Sequence, residues 1–123
     1  MKTILIVDDS PFTRKAIRRI VEPMGFDAEE AGDGVEALTR LEAGLEPDMI
    51  LLDVDMPEMD GLTFLKTLRE RDDLLQPPVV MCTTVNALAK IAEAMESGAD
   101  EYVMKPFDED ILGEKLASVG VLG

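Results

Sequence analysis

Apolar runs the length of a β-strand alternate with amphipathic stretches the length of a helix along the chain, and this alternation constrains the fold most strongly. It predicts parallel strands joined by helices. The runs at 4–7, 49–52 and 79–82 are almost wholly apolar, as is typical of central strands covered by helices on both faces. We expect strands near 2–7, 27–31, 48–52, 78–82 and 100–104, and helices near 11–22, 34–43, 61–71, 87–97 and 108–118.

The composition of the remaining strands predicts the strand order. Residues 27–31 are too polar for a central place, and residues 100–104 are mixed, so we expect these two strands at opposite edges. The result is a doubly wound α/β sheet of five parallel strands in the order 2-1-3-4-5.

Several helix ends are marked by residues with capping side chains. Ser10 before Pro11 predicts an N-cap followed by a proline in the first helical position. Asp33, with Glu36 three residues later, resembles a capping box. The other candidates are Asp60, Asn86 and Asp108 as N-caps and Gly98 after a helix C-terminus.

The size of the chain and its charge exclude several classes of function. A length of 123 residues suits one domain, and we expect that domain to span 1–123 with no output domain and to be monomeric. The net charge of −14 argues against general binding of nucleic acid. The absence of histidine excludes imidazole catalysis by this chain.

The apolar runs and the single cysteine indicate where the protein works. No run is long enough to span a bilayer. Cys82 lies inside an apolar run and cannot form an internal disulfide, so we expect it to be a packing residue in a cytoplasmic protein.

Polar side chains follow four of the predicted strands at their carboxyl ends. Asp8 and Asp9 follow the first strand, Asp53 the third, Thr83 the fourth and Lys105 the fifth. In an open parallel sheet the ligand crevice lies beyond these ends. The sequence therefore predicts that three carboxylates, a hydroxyl and an ammonium meet at one rim.

Three carboxylates in one crevice repel one another unless a cation joins them. Mg²⁺ prefers hard oxygen ligands and commonly binds one or two carboxylates together with a phosphate. With Mg²⁺ present, Asp53 is a candidate nucleophile that forms an aspartyl phosphate. Lys105 and Thr83 would then neutralise and hydrogen-bond phosphoryl oxygens. Each residue alone also has a structural explanation, such as a capping role for Asp8 and Asp9.

These segments together resemble the response-regulator receiver family, and in particular its single-domain, CheY-like members. The resemblance covers essentially the whole chain and implies the family's flavodoxin-like fold. The matching stretches are Asp8-Asp9-Ser10 after the first apolar run, Asp53-Val54-Asp55-Met56-Pro57 with Met59-Asp60-Gly61 after the third, Thr83 after the fourth, and Lys105-Pro106-Phe107 after the fifth.

The resemblance implies a role for each residue of the site. Asp53 is expected to be the phosphoacceptor and a Mg²⁺ ligand. Asp9 would be a direct Mg²⁺ ligand, Asp8 would act mainly through water, and Asp55 would contribute its backbone carbonyl. Lys105 would contact the phosphoryl group, with a cis peptide bond to the following proline.

The resemblance also implies a switch and a set of partners. Thr83 and Tyr102 would form the switch pair, and their movement would change the surface of helix 4, strand 5 and helix 5. The phosphodonor would be a histidine kinase or a histidine phosphotransfer protein. The target would be another protein, such as a flagellar motor switch protein in chemotaxis.

Two residues near the site depart from common family patterns. Thr84 replaces a smaller residue and is expected to narrow access to the phosphoryl group. Asp55 carries an acidic side chain two residues after the phosphoacceptor, where it would either orient hydrolytic water or repel water and substrate.

The basic side chains of helix 1 have two interpretations. Arg14, Lys15, Arg18 and Arg19 are either a solvated face that balances the acidic charge or a docking face for an acidic phosphodonor protein.

Other functions share parts of this pattern. A phosphate shuttle to a histidine phosphotransfer protein would use the same site. The Asp53-Val54-Asp55 pattern is also found in haloacid-dehalogenase-type phosphatases, in which Asp55 would be the general acid/base. Against the phosphatase, this motif normally follows the first strand rather than the third. A binding-only receiver and a flavin-binding protein of the same topology fit the sequence less well.

Overall fold

The sheet of the protein has five parallel strands in the order β2-β1-β3-β4-β5, as a computed structural model shows. The structure describes residues 2–56 and 59–121, so Pro57 of the matching stretches lies outside the described residues. The predicted order and both edge assignments are confirmed. The strands are β1 (Thr3–Val7), β2 (Asp27–Ala31), β3 (Met49–Asp53), β4 (Val79–Thr83) and β5 (Glu101–Met104).

Helices cover both faces of this sheet, which confirms the doubly wound α/β class. The helices are α1 (Pro11–Val21), α2 (Gly34–Glu42), α3 (Gly61–Arg69), α4 (Ile91–Glu96) and α5 (Glu109–Ser118). Buried side chains of α1 and α5 pack on one face, and those of α2, α3 and α4 pack on the other.

The apolar runs of the central strands fill both of these layers. In β1, Leu5 and Val7 point into the cluster beneath α2, α3 and α4, whereas Ile4 and Ile6 point into the cluster beneath α1 and α5. All four side chains are at most 1% exposed. Because strand side chains alternate between the two faces, a continuous apolar run is needed where both faces are buried.

The glutamates of the polar edge strand β2 pair with arginines of the neighbouring helices. Arg14 and Arg18 of α1 each donate through Nε to Glu30, both at 2.9 Å. Arg40 of α2 pairs with Glu29. Burial raises the pKa of Glu30, but the hydrogen bonds from the two arginines outweigh it and hold the pKa below its ordinary value.

Most of the predicted helix caps are confirmed. The side chains of Ser10, Asp33, Asp60 and Asp108 each accept a hydrogen bond from a backbone amide in the first turn of the following helix. The Glu36 carboxylate accepts from the Gly32 amide, one residue before the position that a capping box uses.

The beginning of the fourth helix was predicted wrongly. Residues Val85–Lys90 form a 3₁₀ helix, and α4 begins only at Ile91. The Ala87 amide donates to the Thr84 carbonyl, so the first turn starts before Asn86 and leaves that residue inside the helix rather than at its N-cap. At the other end of α4, Gly98 has a φ of +113°, which confirms its place after the helix C-terminus.

No helix in the described part of the chain combines the length and the hydropathy that crossing a membrane requires.

Cys82 is buried in β4, where burial raises the pKa of its thiol to about 12, and this fits its predicted packing role.

Candidate functional site

The carboxyl ends of four parallel strands bring the predicted site residues to one edge of the sheet. Asp8 and Asp9 follow β1, and Lys105 follows β5. Asp53 and Thr83 are the last residues of β3 and β4, one position earlier than their predicted places after those strands. The pairing of Asp53 with Cys82 aligns the ends of these two central strands.

Lys105 joins the site from the edge strand. Its ammonium donates to Asp8 Oδ2 at 2.7 Å and to Asp53 Oδ1 at 3.1 Å. Its backbone amide donates to the Thr83 carbonyl at 2.7 Å, which holds the end of β5 against the end of β4. The peptide bond between Lys105 and Pro106 is cis, as predicted.

Three carboxylates face this ammonium. One oxygen atom each of Asp8, Asp9 and Asp53 lies within 4.8 Å of the others. Asp8 is 2% exposed, and its second oxygen, Oδ1, accepts from the Ser10 amide at 2.9 Å. Both carboxylate oxygens of Asp8 therefore already have partners in the protein, whereas Asp9 is exposed at the rim.

This donor set fits a hard divalent cation. The oxygens are anionic, they lie close enough to share one ion, and Mg²⁺ typically binds one or two carboxylates and keeps several waters. Lys105 and Ser10 already donate to the two oxygens of Asp8, and Lys105 also donates to Oδ1 of Asp53. The clustered groups found among the described residues are carboxylates, so they suit magnesium better than a soft metal.

The pKa shifts in the site show that the positive charge of Lys105 alone does not balance the three carboxylates. Burial raises the pKa of Asp53 to about 6. The charge of Lys105 opposes this rise, while Asp8 and Asp9 add to it. Burial lowers the pKa of Lys105, but its bonds to Asp8 and Asp53 outweigh that effect and raise it, so the lysine stays charged. Additional positive charge would therefore be favourable here.

The predicted switch residues lie on the same face of the sheet. Thr83 is buried and donates through Oγ1 to the Thr84 carbonyl at 3.0 Å, so its hydroxyl is engaged within its own loop. Tyr102 pairs with Met81 in the β4–β5 ladder and packs against the cluster beneath α2, α3 and α4. Its ring is half-buried, with Lys115 Nζ 5.3 Å from the ring centroid.

The acidic side chain of Asp55 has a partner that the sequence did not indicate. Lys90, the last residue of the 3₁₀ helix, donates to Asp55 Oδ1 at 2.5 Å. The pairing was not predictable because it joins residues 35 positions apart through an irregular segment. Thr84 is exposed and makes no side-chain cap for that segment.

Two other residues, Arg14 and Gly61, shape the site through contacts that the sequence did not predict. Arg14 Nη1 donates to the Asp8 carbonyl at 2.6 Å and so supports the turn after β1. Gly61 starts α3, where a Cβ would lie 2.1 Å from the carbonyl oxygen of Asp53. The position of Gly61 directly after the N-cap Asp60 could be read from the sequence. Its close approach to the Asp53 carbonyl could not, because that contact depends on how α3 packs against β3.

Comparison with known families identifies the chain. The family model for the response regulator receiver domain matches residues 4–117. The chain belongs to the response regulator receiver family.

Relatives of this receiver domain include single-domain proteins and longer ones. It is 36% identical to the chemotaxis protein CheY1 of Helicobacter pylori, over 94% of each chain. It is also 36% identical to the DNA-binding dual master transcriptional regulator RpaA of a Synechocystis species, over 99% of this chain but 49% of that longer protein. A structure of the chemotaxis protein CheY4 of Vibrio cholerae, 34% identical, covers 97% of this chain and 98% of its own with a TM-score of 0.87.

Membership explains the acidic cluster at this edge of the sheet. Receiver domains are signalling switches of two-component systems rather than classical enzymes, and they bind Mg²⁺ at an acidic pocket. A receiver domain of the CheY type implies a histidine kinase partner and a downstream target.

We predict that replacing Gly61 with alanine destabilises the receiver domain by about 2 kcal/mol, because overpacking a close backbone contact typically costs that much. Urea unfolding measures this change. Gly113→Ala is the matched control: a Cβ there meets nothing nearer than Met24 Cε at 3.8 Å, within α5. It is expected to stabilise the protein by about 1 kcal/mol. Equal effects of the two substitutions would contradict the close-contact explanation.

We predict that Asp53→Asn stabilises the protein in the absence of divalent cations, by about 2 kcal/mol at pH 8. The folded-state pKa of Asp53, about 6, lies above its ordinary value of 3.8, so deprotonation opposes folding. This penalty develops as the pH rises from 3.8 to about 6 and is complete above that range. The gain from the asparagine should therefore shrink below pH 6.

Urea unfolding between pH 4 and pH 8 with a chelator tests this dependence. Asp72→Asn, at an exposed position outside the site, is the control and is expected to change the free energy of unfolding by less than about 0.5 kcal/mol. A gain from Asp53→Asn that did not vary with pH would show that ionisation of Asp53 is not its cause.

Proposed function

We propose that this protein is a cytoplasmic response regulator that accepts a phosphoryl group on Asp53 from a histidine kinase, with Mg²⁺ as cofactor. The phosphorylated form would switch the surface formed by α4, β5 and α5 to bind a protein target. The observation that carries the proposal is the Lys105 ammonium placed between Asp8 and Asp53, beside three clustered carboxylates.

The proposed reaction is an attack by a carboxylate oxygen of Asp53 on the phosphorus of the donor. A phosphorus–oxygen bond to Asp53 forms, and the bond between phosphorus and the donor's leaving group breaks. With a pKa of about 6, Asp53 is mostly ionised above neutral pH and available as a nucleophile. Bound Mg²⁺ would supply charge that offsets the repulsion between the carboxylates and the incoming phosphoryl group.

Lys105 and Thr83 would act on the phosphoryl group after transfer. The Lys105 ammonium already contacts Asp53 Oδ1 and would neutralise a phosphoryl oxygen attached there. Thr83 would exchange its bond to the Thr84 carbonyl for one to another phosphoryl oxygen. That movement would open space on the face of the sheet where Tyr102 also packs. The placement of both side chains on one face supports Thr83 and Tyr102 as a switch pair.

The surface beside Lys105 suits a docking phosphodonor protein. Phe12 is 82% exposed and borders an apolar hollow of about 220 Å³ that Pro106 and Phe107 close on the other side. Lys15 and Arg19 lie exposed on α1, and neither forms an ion pair within the described residues. An acidic partner surface with an apolar centre would fit there, with its phosphohistidine near Asp53.

A chemotaxis role is the form of this proposal that the relatives favour. The single-domain relatives of similar length, CheY1 and CheY4, are named as chemotaxis proteins. A phosphatase role for the Asp53-Val54-Asp55 motif has less support, because the Asp55 carboxylate is paired with Lys90 and is not one of the three clustered carboxylates.

We expect incubation with acetyl phosphate to add one phosphoryl group to the wild-type protein in the presence of Mg²⁺ and none in its absence. Intact-mass measurement at a series of times detects the product. Asp53→Asn should gain nothing, and Asp72→Asn should behave as the wild type. A wild-type protein that gains no phosphoryl group, or an Asp53→Asn variant that gains one, would overturn the proposal.

We expect the double substitution Phe12→Ser with Lys15→Glu to slow phosphotransfer from a phosphohistidine protein by about tenfold, the loss of one exposed anchor and one charge contact. Phosphorylation by acetyl phosphate should not change, because this donor needs no docking surface. Leu75→Ser removes an exposed leucine between α3 and β4, at the opposite end of the sheet, and is the control. Equal slowing with both donors would exclude a docking role for this surface.

A further inference from the structure

An exposed ion pair links the segment that follows Asp53, at the carboxyl end of β3, to the segment before α4. Lys90 Nζ lies 2.5 Å from Asp55 Oδ1, and both side chains are more than half exposed. Asp55 lies two residues after Asp53, and Lys90 ends the 3₁₀ helix that follows β4. The hydrogen bond to Asp55 and the nearby charges of Asp55 and Asp60 raise the pKa of Lys90. The ammonium therefore faces the segment between β3 and α3.

Such an exposed pair contributes little to stability, since exposed ion pairs are typically worth less than about 1 kcal/mol. The pair also sets the net charge of the segment that follows Asp53. A single divalent cation together with Lys105 balances the three charges of Asp8, Asp9 and Asp53. Asp55 adds a fourth negative charge two residues after the nucleophile, and Lys90 pairs with it.

Phosphodonors are anions, so a net negative charge around Asp53 would repel them. We propose that Lys90 is a positioning residue that acts through Asp55: it cancels the charge of that carboxylate and thereby admits anionic phosphodonors to Asp53. This inference rests on the proposed function and adds to it a residue that lies outside the site cluster.

A second ion pair on the same side of the protein provides a matched control. Lys66 of α3 donates to Glu93 of α4 at 2.6 Å, and the exposure of the two side chains is similar to that of Lys90 and Asp55. Both pairs tie α4 or the segment before it to the neighbouring α3 region. Only the Lys90 pair includes a residue of the loop that follows Asp53.

The test measures the rate of phosphorylation and the affinity for Mg²⁺, because an added negative charge should lower the first and raise the second. In Lys90→Gln the uncompensated Asp55 should slow phosphorylation by acetyl phosphate about threefold, and it should tighten Mg²⁺ binding by a similar factor, as one added charge near a solvated site predicts. Intact mass gives the rate at a fixed, saturating Mg²⁺ concentration, and calorimetric titration gives the Mg²⁺ affinity.

Three further variants define the expected pattern. Lys90→Arg keeps the charge and should match the wild type in both measurements. Asp55→Asn combined with Lys90→Gln removes both charges and should restore both values. Lys66→Gln should change neither. Raising the ionic strength from about 0.05 to about 0.5 M should shrink both effects of Lys90→Gln, because salt screens exposed charges.

Several outcomes would overturn the inference. If Lys90→Gln weakens Mg²⁺ binding and slows phosphorylation together, the residue has a structural role only. If neither value changes while the wild type is phosphorylated, Lys90 has no role in admission and the proposed function stands. A wild type that binds Mg²⁺ but is never phosphorylated on Asp53 would instead overturn the proposed function, and the inference with it.

Discussion

The ammonium of Lys105 between Asp8 and Asp53 is the interaction on which the functional edge of this protein depends. Carboxylates that lose water on burial are unstable unless a cation or hydrogen-bond donors replace that water. Lys105 and the Ser10 amide satisfy Asp8 completely. They leave Asp53 with a pKa of about 6, so the crevice keeps an unmet demand for positive charge. Receiver domains bind Mg²⁺ at an acidic pocket, and a divalent cation held by this cluster would meet that demand.

The parallel sheet explains how four separate segments deliver these groups to one place. Each strand that ends at this edge presents the residues that follow it, and helices occupy both faces, so the polar groups can collect only at the end of the sheet. The Lys105 amide bound to the Thr83 carbonyl and the Arg14 guanidinium bound to the Asp8 carbonyl fix the outer members of the group. The close approach of Gly61 to the Asp53 carbonyl fixes the central one.

The same edge links the chemistry to the surface of the protein. The Thr83 hydroxyl is held by its own loop, and that loop continues into the 3₁₀ helix that ends at Lys90. Lys90 in turn contacts Asp55, which lies two residues after Asp53. Under the proposed function, a phosphoryl group on Asp53 would engage the Thr83 hydroxyl, and the Lys90 pair would set the charge of the segment that follows Asp53. Thr83 precedes the 3₁₀ helix and Lys90 ends it, so a change at these residues would alter the surface of the segment before α4.

The sequence by itself determined the class of the fold, the strand order and the membership of the site. These predictions rest on local patterns: apolar runs in strands that are buried on both faces, a charged edge strand, and acidic residues at the ends of β1 and β3. A parallel sheet accommodates all of these patterns. Four of the five predicted N-caps were correct for the same reason, because a cap depends on neighbouring residues. The tertiary structure alone decided the partners of Lys90, Arg14 and Gly61 and the 3₁₀ start of the fourth helical segment. The Lys90 pair joins residues 35 positions apart, and the contacts of Arg14 and Gly61 depend on how each helix packs against the end of a strand. No local pattern of side chains specifies such packing.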